Sequence, residues 1–409
     1  MNKYIKQLAL MIPQVKRVHE NINQMRLQID SLNRQLGFKE HIIDKLEEEH
    51  NNIVEAVWDE KSDRRQWVCT RPFTTMRIEN SGDVATCCLA YIMQTNRPYF
   101  IGNAFTDSFD DIWNSDKVKK LRYSVAHGNF EYCTKYCPVL SNPRLCPDVM
   151  LPRKMAGYKY DKWQDCHLDK APSQIHLLID NSCNLHCFQC RNQVISKSAA
   201  EKEKITQILE KLIRPALKDC DILYMDGTGE FLVSEPHLQF LGTLSKVETP
   251  LLILQFISNG ILFTPARWDK FSNLKGMRIH LSISVDAATK ETYEKYRREG
   301  KWGILNENME YISSLRNAGE IEKLHLSFVV HKGNFKEMES FIDLSKKWSV
   351  DAVYFQRLDH YGTFPSHEAF VEQDVFSVKN PLRNEATAIL LKLLHSTSGI
   401  KVFQNSCLN

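Results

Sequence analysis

The sequence predicts an α/β chain in three parts: six βα repeats forming a parallel sheet, open or curled into a partial (β/α)6 barrel, preceded by a small Cys-rich domain and an N-terminal coiled-coil helix. Three observations predict it. From Gln174 onward, six short apolar runs rich in β-formers alternate with helix-like stretches. Ten of the 12 cysteines crowd between Cys69 and Cys190. An apolar seam of heptad spacing runs through the first 60 residues. At 409 residues, 43% hydrophobic and 25% charged, the chain is long enough for two or three folding units around a substantial core. Its net charge of +3 is too balanced to argue for a nucleic-acid or membrane-surface partner.

The seam defines the first part, residues 1–66. Steps of three and four from Val15 land on Val18, Ile22, Met25, Ile29, Leu32, Leu36, Lys39, Ile43, Leu46, His50, Ile53 and Val57, and only Lys39 and His50 are polar. Such a helix would be roughly 65 Å long. It predicts a homo-oligomerisation arm, or a long helix folded back on its own chain. The second part, 67–168, has turn residues and cysteines but no long periodic segment. A hairpin is expected around the turn Asn80-Ser81-Gly82-Asp83 and a helix over 109–125. So little apolar periodicity predicts a metal centre to hold the part together. The third part, 169–409, has strands expected at 175–179, 222–225, 252–257, 279–285, 324–330 and 352–355. Helices are expected near 201–214, 235–245, 265–272, 289–316 and 335–347. A sheet built this way is parallel, and its site lies at the carboxyl ends of the strands.

A disulfide framework would need an export signal. The apolar run Leu8-Ala9-Leu10-Met11-Ile12 stops at Pro13, short of a signal-peptide core. No run of about 18 apolar residues is there to span a membrane. A cytoplasmic setting is therefore expected, where clustered thiols read as metal ligands.

The first strand, His176-Leu177-Leu178-Ile179-Asp180, leads into Asn181-Ser182-Cys183-Asn184-Leu185-His186-Cys187-Phe188-Gln189-Cys190-Arg191. Three thiols on one loop can hold three irons of a cubane 4Fe–4S cluster and leave the fourth open to a ligand. A zinc site short of its fourth ligand and buried free cysteines are the competing readings. His186 lies inside the loop, at the wrong spacing to complete a zinc knuckle.

This C-x3-C-x2-C loop after strand one resembles the signature of the radical S-adenosylmethionine (radical SAM) enzymes, and the likeness runs over roughly residues 69 to 370. After strand two, Asp226-Gly227-Thr228-Gly229-Glu230 is similar to the family's Gly-Gly-Glu motif, which holds the methionine amino group of SAM. The resemblance implies cofactor contacts by Gly227, Thr228, Gly229 and Glu230. Ser258-Asn259-Gly260 is similar to the family's Thr-Asn-Gly turn and adds Asn259. Ser284 and Asp286 resemble the Ser-x-Asp near the ribose, and Arg297 resembles the arginine near the SAM carboxylate. Two positions depart from the pattern. The aromatic residue that covers the adenine, just before the third cysteine, is Gln189 here, and the proline after the glutamate motif is Phe231.

The earlier cysteines resemble the SPASM auxiliary-cluster domain. Cys69, Gly82 and Cys87 fit C-x12-G-x4-C, and Ile101-Gly102-Asn103 and Asp111-Ile112-Trp113-Asn114 follow. The resemblance implies at least one auxiliary 4Fe–4S cluster, held by Cys69, Cys87, Cys133 and Cys137, with Cys88, Cys146 and Cys166 as further candidate ligands. Zinc would suit four thiolates equally. Here the segment precedes the barrel instead of following it.

The resemblance implies a reaction as well. Reductive cleavage of SAM at the open iron gives a 5′-deoxyadenosyl radical, which takes hydrogen from a peptide or protein side chain for oxidation, cross-linking or epimerisation. A sugar or surface-glycan precursor is the alternative substrate. A flavodoxin or ferredoxin would supply electrons, and Cys220 or a SPASM cysteine could return a hydrogen atom. The reading of another class is a non-catalytic metal-binding coiled-coil scaffold.

Overall fold

The computed structural model describes residues 64–87, 99–133, 137–141, 149–225, 227–395 and 400–404. The expected coiled coil thus lies outside the described residues, apart from the 3-10 turn Arg64–Gln66 that closes its range. Cys88, Cys146 and Asp226 lie outside them too.

The Cys-rich part supplies five short strands: β1 (Trp67–Cys69), β2 (Thr75–Ile78), β3 (Asp83–Ala85), β4 (Gly102–Asn103) and β5 (Met150–Pro152). β1 and β5 pair antiparallel as a sheet of their own. β2 and β3 form the expected hairpin, with Arg77 opposite Ala85. Its turn depends on Gly82, whose φ is +83°. A Cβ there would lie 2.3 Å from the Phe105 ring and 2.6 Å from Asn103 Oδ1, so no other residue fits without moving them. The single helix expected over 109–125 is two helices, Phe109–Trp113 and Asp116–Ala126. Ser115 explains the break: its side chain accepts from Val118 N and caps the second helix.

The alternating part gives β6 (Gln174–Leu177), β7 (Ile222–Met225), β8 (Ile253–Ser258), β9 (Arg278–Ser284), β10 (Lys323–Val330), β11 (Ala352–Arg357) and β12 (Lys401–Gln404). All seven pair parallel in chain order. The sheet does not stop at residue 169. β2 lies parallel against β6, Thr75 opposite Gln174, and β3 and β4 continue outward, giving ten strands in the order β12-β11-β10-β9-β8-β7-β6-β2-β3-β4. The protein is therefore a mixed α/β fold around one large, mainly parallel sheet. β12 and the alignment of β2 with β6 were not expected from the sequence.

Packing follows the same continuity. Met76, Ile78 and Val84 belong to one buried cluster with Leu177, Leu223, Leu254 and Phe328. On β10 and β11, Phe328 and Phe355 meet Phe341 of the covering helix Met338–Lys347, with Phe328 and Phe341 centroids 4.7 Å apart. Each fully buried phenylalanine contributes on the order of 1.5–3 kcal/mol. A smaller second core gathers Val68, Phe73, Leu121, Val125 and Met150 around Cys69. Because β2 and β6 to β12 run in one direction, the loops after them gather along one edge of the sheet.

Candidate functional site: a cysteine loop at the carboxyl edge

The loop after β6 is fixed from both sides. At its start, buried Asp180 accepts from Ser182 N at 2.8 Å and from Ser234 Oγ at 2.5 Å. Burial opposes the charge of Asp180, but these hydrogen bonds outweigh it and hold its pKa below the usual value. In the middle, Phe188 N donates to Tyr296 O at 3.1 Å, and the Phe188 ring packs on Tyr296, His331 and Phe364. At its end, Cys190 N and Arg191 N both donate to Cys187 O. The loop is short and tightly hydrogen-bonded, and it brings Cys183, Cys187 and Cys190 into one small cluster with Leu185 and Ile261.

Every one of the three sulfurs accepts an N–H. Leu185 N lies 3.5 Å and Asn259 Nδ2 3.8 Å from Cys183 Sγ. Arg297 Nη1 lies 3.6 Å from Cys187 Sγ, and Arg191 Nε and Nη2 each lie 3.4 Å from Cys190 Sγ. Burial pushes the Cys183 thiol up, and it pushes Cys187 to about 11 despite Arg297. A bound metal would have to displace those protons, and the donors are placed to stabilise thiolates once it does.

The residues after β7, β8 and β9 close around this loop. Gly229 is required: a Cβ on it would sit 2.4 Å from Asp180 O and 2.7 Å from Ser182 O. That approach lets Glu230 N donate to Ser182 O at 2.8 Å. Gly227 is less crowded, with Ile257 Cγ2 at 3.1 Å. Thr228 faces Arg191 through its carbonyl, 2.5 Å from Nη2. The Glu230 carboxylate is buried beneath, accepting from Ser258 Oγ at 3.0 and 3.1 Å and from Asn259 N at 2.7 Å. Burial raises its pKa to about 7, with the hydrogen bonds and Arg297 opposing. Asn259 Nδ2 also reaches Asn184 Oδ1 at 2.9 Å, tying the β8 turn to the cysteine loop.

At the end of β9, Ser284 Oγ accepts from Ser327 Oγ at 3.2 Å. Buried Asp286, at φ +61°, accepts from Val329 N and from Gln189 Nε2, and it pairs with Arg297 Nη2 at 2.6 Å. Burial lowers the Arg297 pKa, but Asp286 and Cys187 raise it further, so the guanidinium is firmly charged. Among the described residues, Gln189 Oε1, Tyr293 OH and Arg297 Nε are buried with no hydrogen-bond partner. An acceptor, a hydroxyl and a donor left open beside Cys187 and Asp286 fit a polar ligand in this place.

The second predicted set also converges. Cys69 ends β1, Cys87 follows β3, Cys133 N donates to Phe130 O, and Cys137 precedes the helical turn Pro138–Ser141. Burial raises the Cys69 and Cys133 thiols; Cys87 and Cys137 raise Cys69 further, and Cys87, Cys69 and Cys137 raise Cys133, so the four face one another. Cys166 stands apart from them: burial pushes it up to about 11, and its charged neighbours are Arg122 and Asp165. Among the described residues no three His, Cys, Asp or Glu side chains converge on a single metal-ion position. A cubane takes each thiolate on a different iron.

The two sets lie at opposite edges of the sheet. Cys87 extends β3 back to the amino end of β2, level with Thr75, whereas Cys183 follows the carboxyl end of β6. Cys220 also sits at the amino edge, its Sγ 3.2 Å from Ile222 O and 3.6 Å from Ser173 O, so it does not face the cysteine loop. The sequence reading missed Arg191, Gln189, Tyr293 and Asp180. Only Gln189 had a signal, as the polar residue standing where the resembled pattern has an aromatic.

Residues 69–138 match the SPASM family, described as an iron–sulfur cluster-binding domain. No curated protein matches the chain. Solved structures to which the chain is similar include SuiB of Streptococcus suis bound to S-adenosylmethionine, at 12% identity and TM-score 0.42, covering 58% of this chain and 51% of that one. A second SuiB structure has 11% identity and TM-score 0.41, covering 81% and 71%. A radical SAM methyltransferase from Sphaerobacter thermophilus has 14% identity and TM-score 0.33, covering 55% and 63%. The match with SAM-bound SuiB spans about half of that protein's length. The chain thus carries, in residues 69–138, a SPASM iron–sulfur cluster-binding domain whose hairpin extends the main sheet.

Proposed function

We propose that this chain is a radical SAM enzyme, with the SAM-binding 4Fe–4S cluster on Cys183, Cys187 and Cys190. One observation carries the reading: three thiols on a single loop at the carboxyl edge, each with its own N–H donor, lie against the Gly229–Glu230 approach. When bound, the cluster supplies the electron that splits SAM into methionine and a 5′-deoxyadenosyl radical. The chain's own residues do the positioning. Glu230 offers a buried carboxylate to the methionine ammonium, and Gly229 lets the backbone come close. Asp286, Gln189, Tyr293 and Arg297 form the polar wall toward the nucleoside. Phe188 and its aromatic neighbours keep water from that side of the loop.

Strands β6 to β11 with their helices are read as the partial (β/α)6 barrel, and 1–66 as an oligomerisation arm. A peptide or protein side chain is the favoured substrate class, because SPASM segments accompany that chemistry in the resembled group. A flavodoxin- or ferredoxin-type reductant is the expected electron source. The position of Cys69, Cys87, Cys133 and Cys137 at the amino edge favours a structural or electron-carrying auxiliary cluster over one that binds substrate. The test is anaerobic reconstitution with iron and sulfide, reduction in the presence of SAM, and assay of 5′-deoxyadenosine. Wild type should form it, and the Cys183→Ala/Cys187→Ala/Cys190→Ala triple variant should not. Equal product from both would refute the assignment.

A further inference from the structure

We propose that Arg191 is a positioning residue that raises the reduction potential of the cluster on Cys183, Cys187 and Cys190 by holding its guanidinium on the Cys190 sulfur. The proposal rests on the cluster reading above. Arg191 is half-buried, and every nitrogen of its fork is used. Nε and Nη2 reach Cys190 Sγ at 3.4 Å, Nη1 donates to Asn181 O at 2.6 Å, and Nη2 donates to Thr228 O at 2.5 Å. The charge is therefore fixed by two carbonyls from two different loops, one before the first cysteine and one in the Gly227–Gly229 turn.

The other guanidinium at the site differs in one decisive respect. Arg297 also donates to a cysteine sulfur, but Asp286 pairs with it at 2.6 Å and offsets its charge. Among the described residues the acceptors of Arg191 are two carbonyls and one sulfur, with no carboxylate. Arg191 thus brings a net positive charge to the cluster ligands. Reduction adds one negative charge to a cluster, and a nearby cation with N–H···S contacts stabilises that form. Lysine at this position would keep the charge but could not span both carbonyls and the sulfur.

The test is an EPR-monitored redox titration of the anaerobically reconstituted full-length chain, following the signal that changes on adding SAM. Arg191→Gln should make one-electron reduction at least about tenfold less favourable, a midpoint lower by about 59 mV. Arg191→Lys should recover most of the wild-type midpoint. An iron-replete Arg191→Gln protein with an unmoved midpoint overturns the proposal. Should Arg191→Gln fail to assemble its cluster, Arg191→Lys decides alone: a midpoint near wild type supports the role of charge, and a tenfold loss overturns it. A wild-type chain with no SAM-responsive iron signal would instead sink the cluster reading itself.

Discussion

Gly229→Ala is the substitution for which the structure gives the clearest number. The added methyl would lie 2.4 Å from Asp180 O and 2.7 Å from Ser182 O, both backbone atoms held by the short Asp180 turn. Ordinary contact requires the two loops to separate by roughly 1 Å. Overpacking of this kind costs about 1–3 kcal/mol. The Glu230 N to Ser182 O hydrogen bond, 2.8 Å long, would stretch with it and lose about 1 kcal/mol more. A total of about 2–4 kcal/mol corresponds, for a chain of this length, to a thermal midpoint roughly 3–5 °C lower. Gly227→Ala is the internal control, since its methyl meets only the Ile257 side chain at 3.1 Å. That variant should lose less than about 1.5 kcal/mol. Thermal unfolding of both apo variants gives the comparison, and calorimetric SAM binding to the iron-loaded forms should show Gly229→Ala the weaker binder. Equal midpoints for the two variants would refute the argument that the close backbone approach makes Gly229 indispensable.

The other predictions concern charge and thiols. Glu230 has its folded pKa raised to about 7 by burial, so the stability tied to its neutral form is complete below about pH 4.5 and is lost as pH rises through 7. Urea titrations of the apo protein from pH 5 to 8 should show wild type losing on the order of 3 kcal/mol relative to Glu230→Gln; parallel curves would contradict the burial effect. Asp286→Asn leaves the buried Arg297 charge uncompensated and should destabilise by about 3–5 kcal/mol in the same urea assay. Cys69→Ser should remove about four irons per chain, whereas Cys166→Ser, standing apart from the quartet, should leave iron content unchanged. Because the two thiol sets lie at opposite edges of the sheet, the reduced clusters should show only weak mutual broadening in EPR; strong coupling would place them on the same side.

What the sequence reveals and what it hides divide along the range of the interactions. β7 falls at its expected bounds, and β6, β8, β9, β10 and β11 within two residues of theirs, because each is an apolar run bounded by turn or helix signals. The cysteine loop is legible for the same local reason: three thiols within eight residues must share a neighbourhood. β2 beside β6 is different. Parallel pairing across almost 100 residues leaves no periodic trace, so nothing in the sequence shows that β2, β3 and β4 of the Cys-rich part extend the main sheet. β12 pairs with β11 by the same long-range means, at the far edge of the sheet. The break at Ser115 was hidden because Phe109, Trp113 and Leu121 keep a helical rhythm on both sides of it, and only the capping bond shows the restart. Arg191 is the sharpest case. Nothing about an arginine after a cysteine announces a role, and its contacts to Asn181 and Thr228 span 10 and 37 residues. Its contacts come from two loops converging where the parallel strands end, so the sequence can name the thiols of such a place while the groups packed around them emerge only once the sheet has aligned those loops.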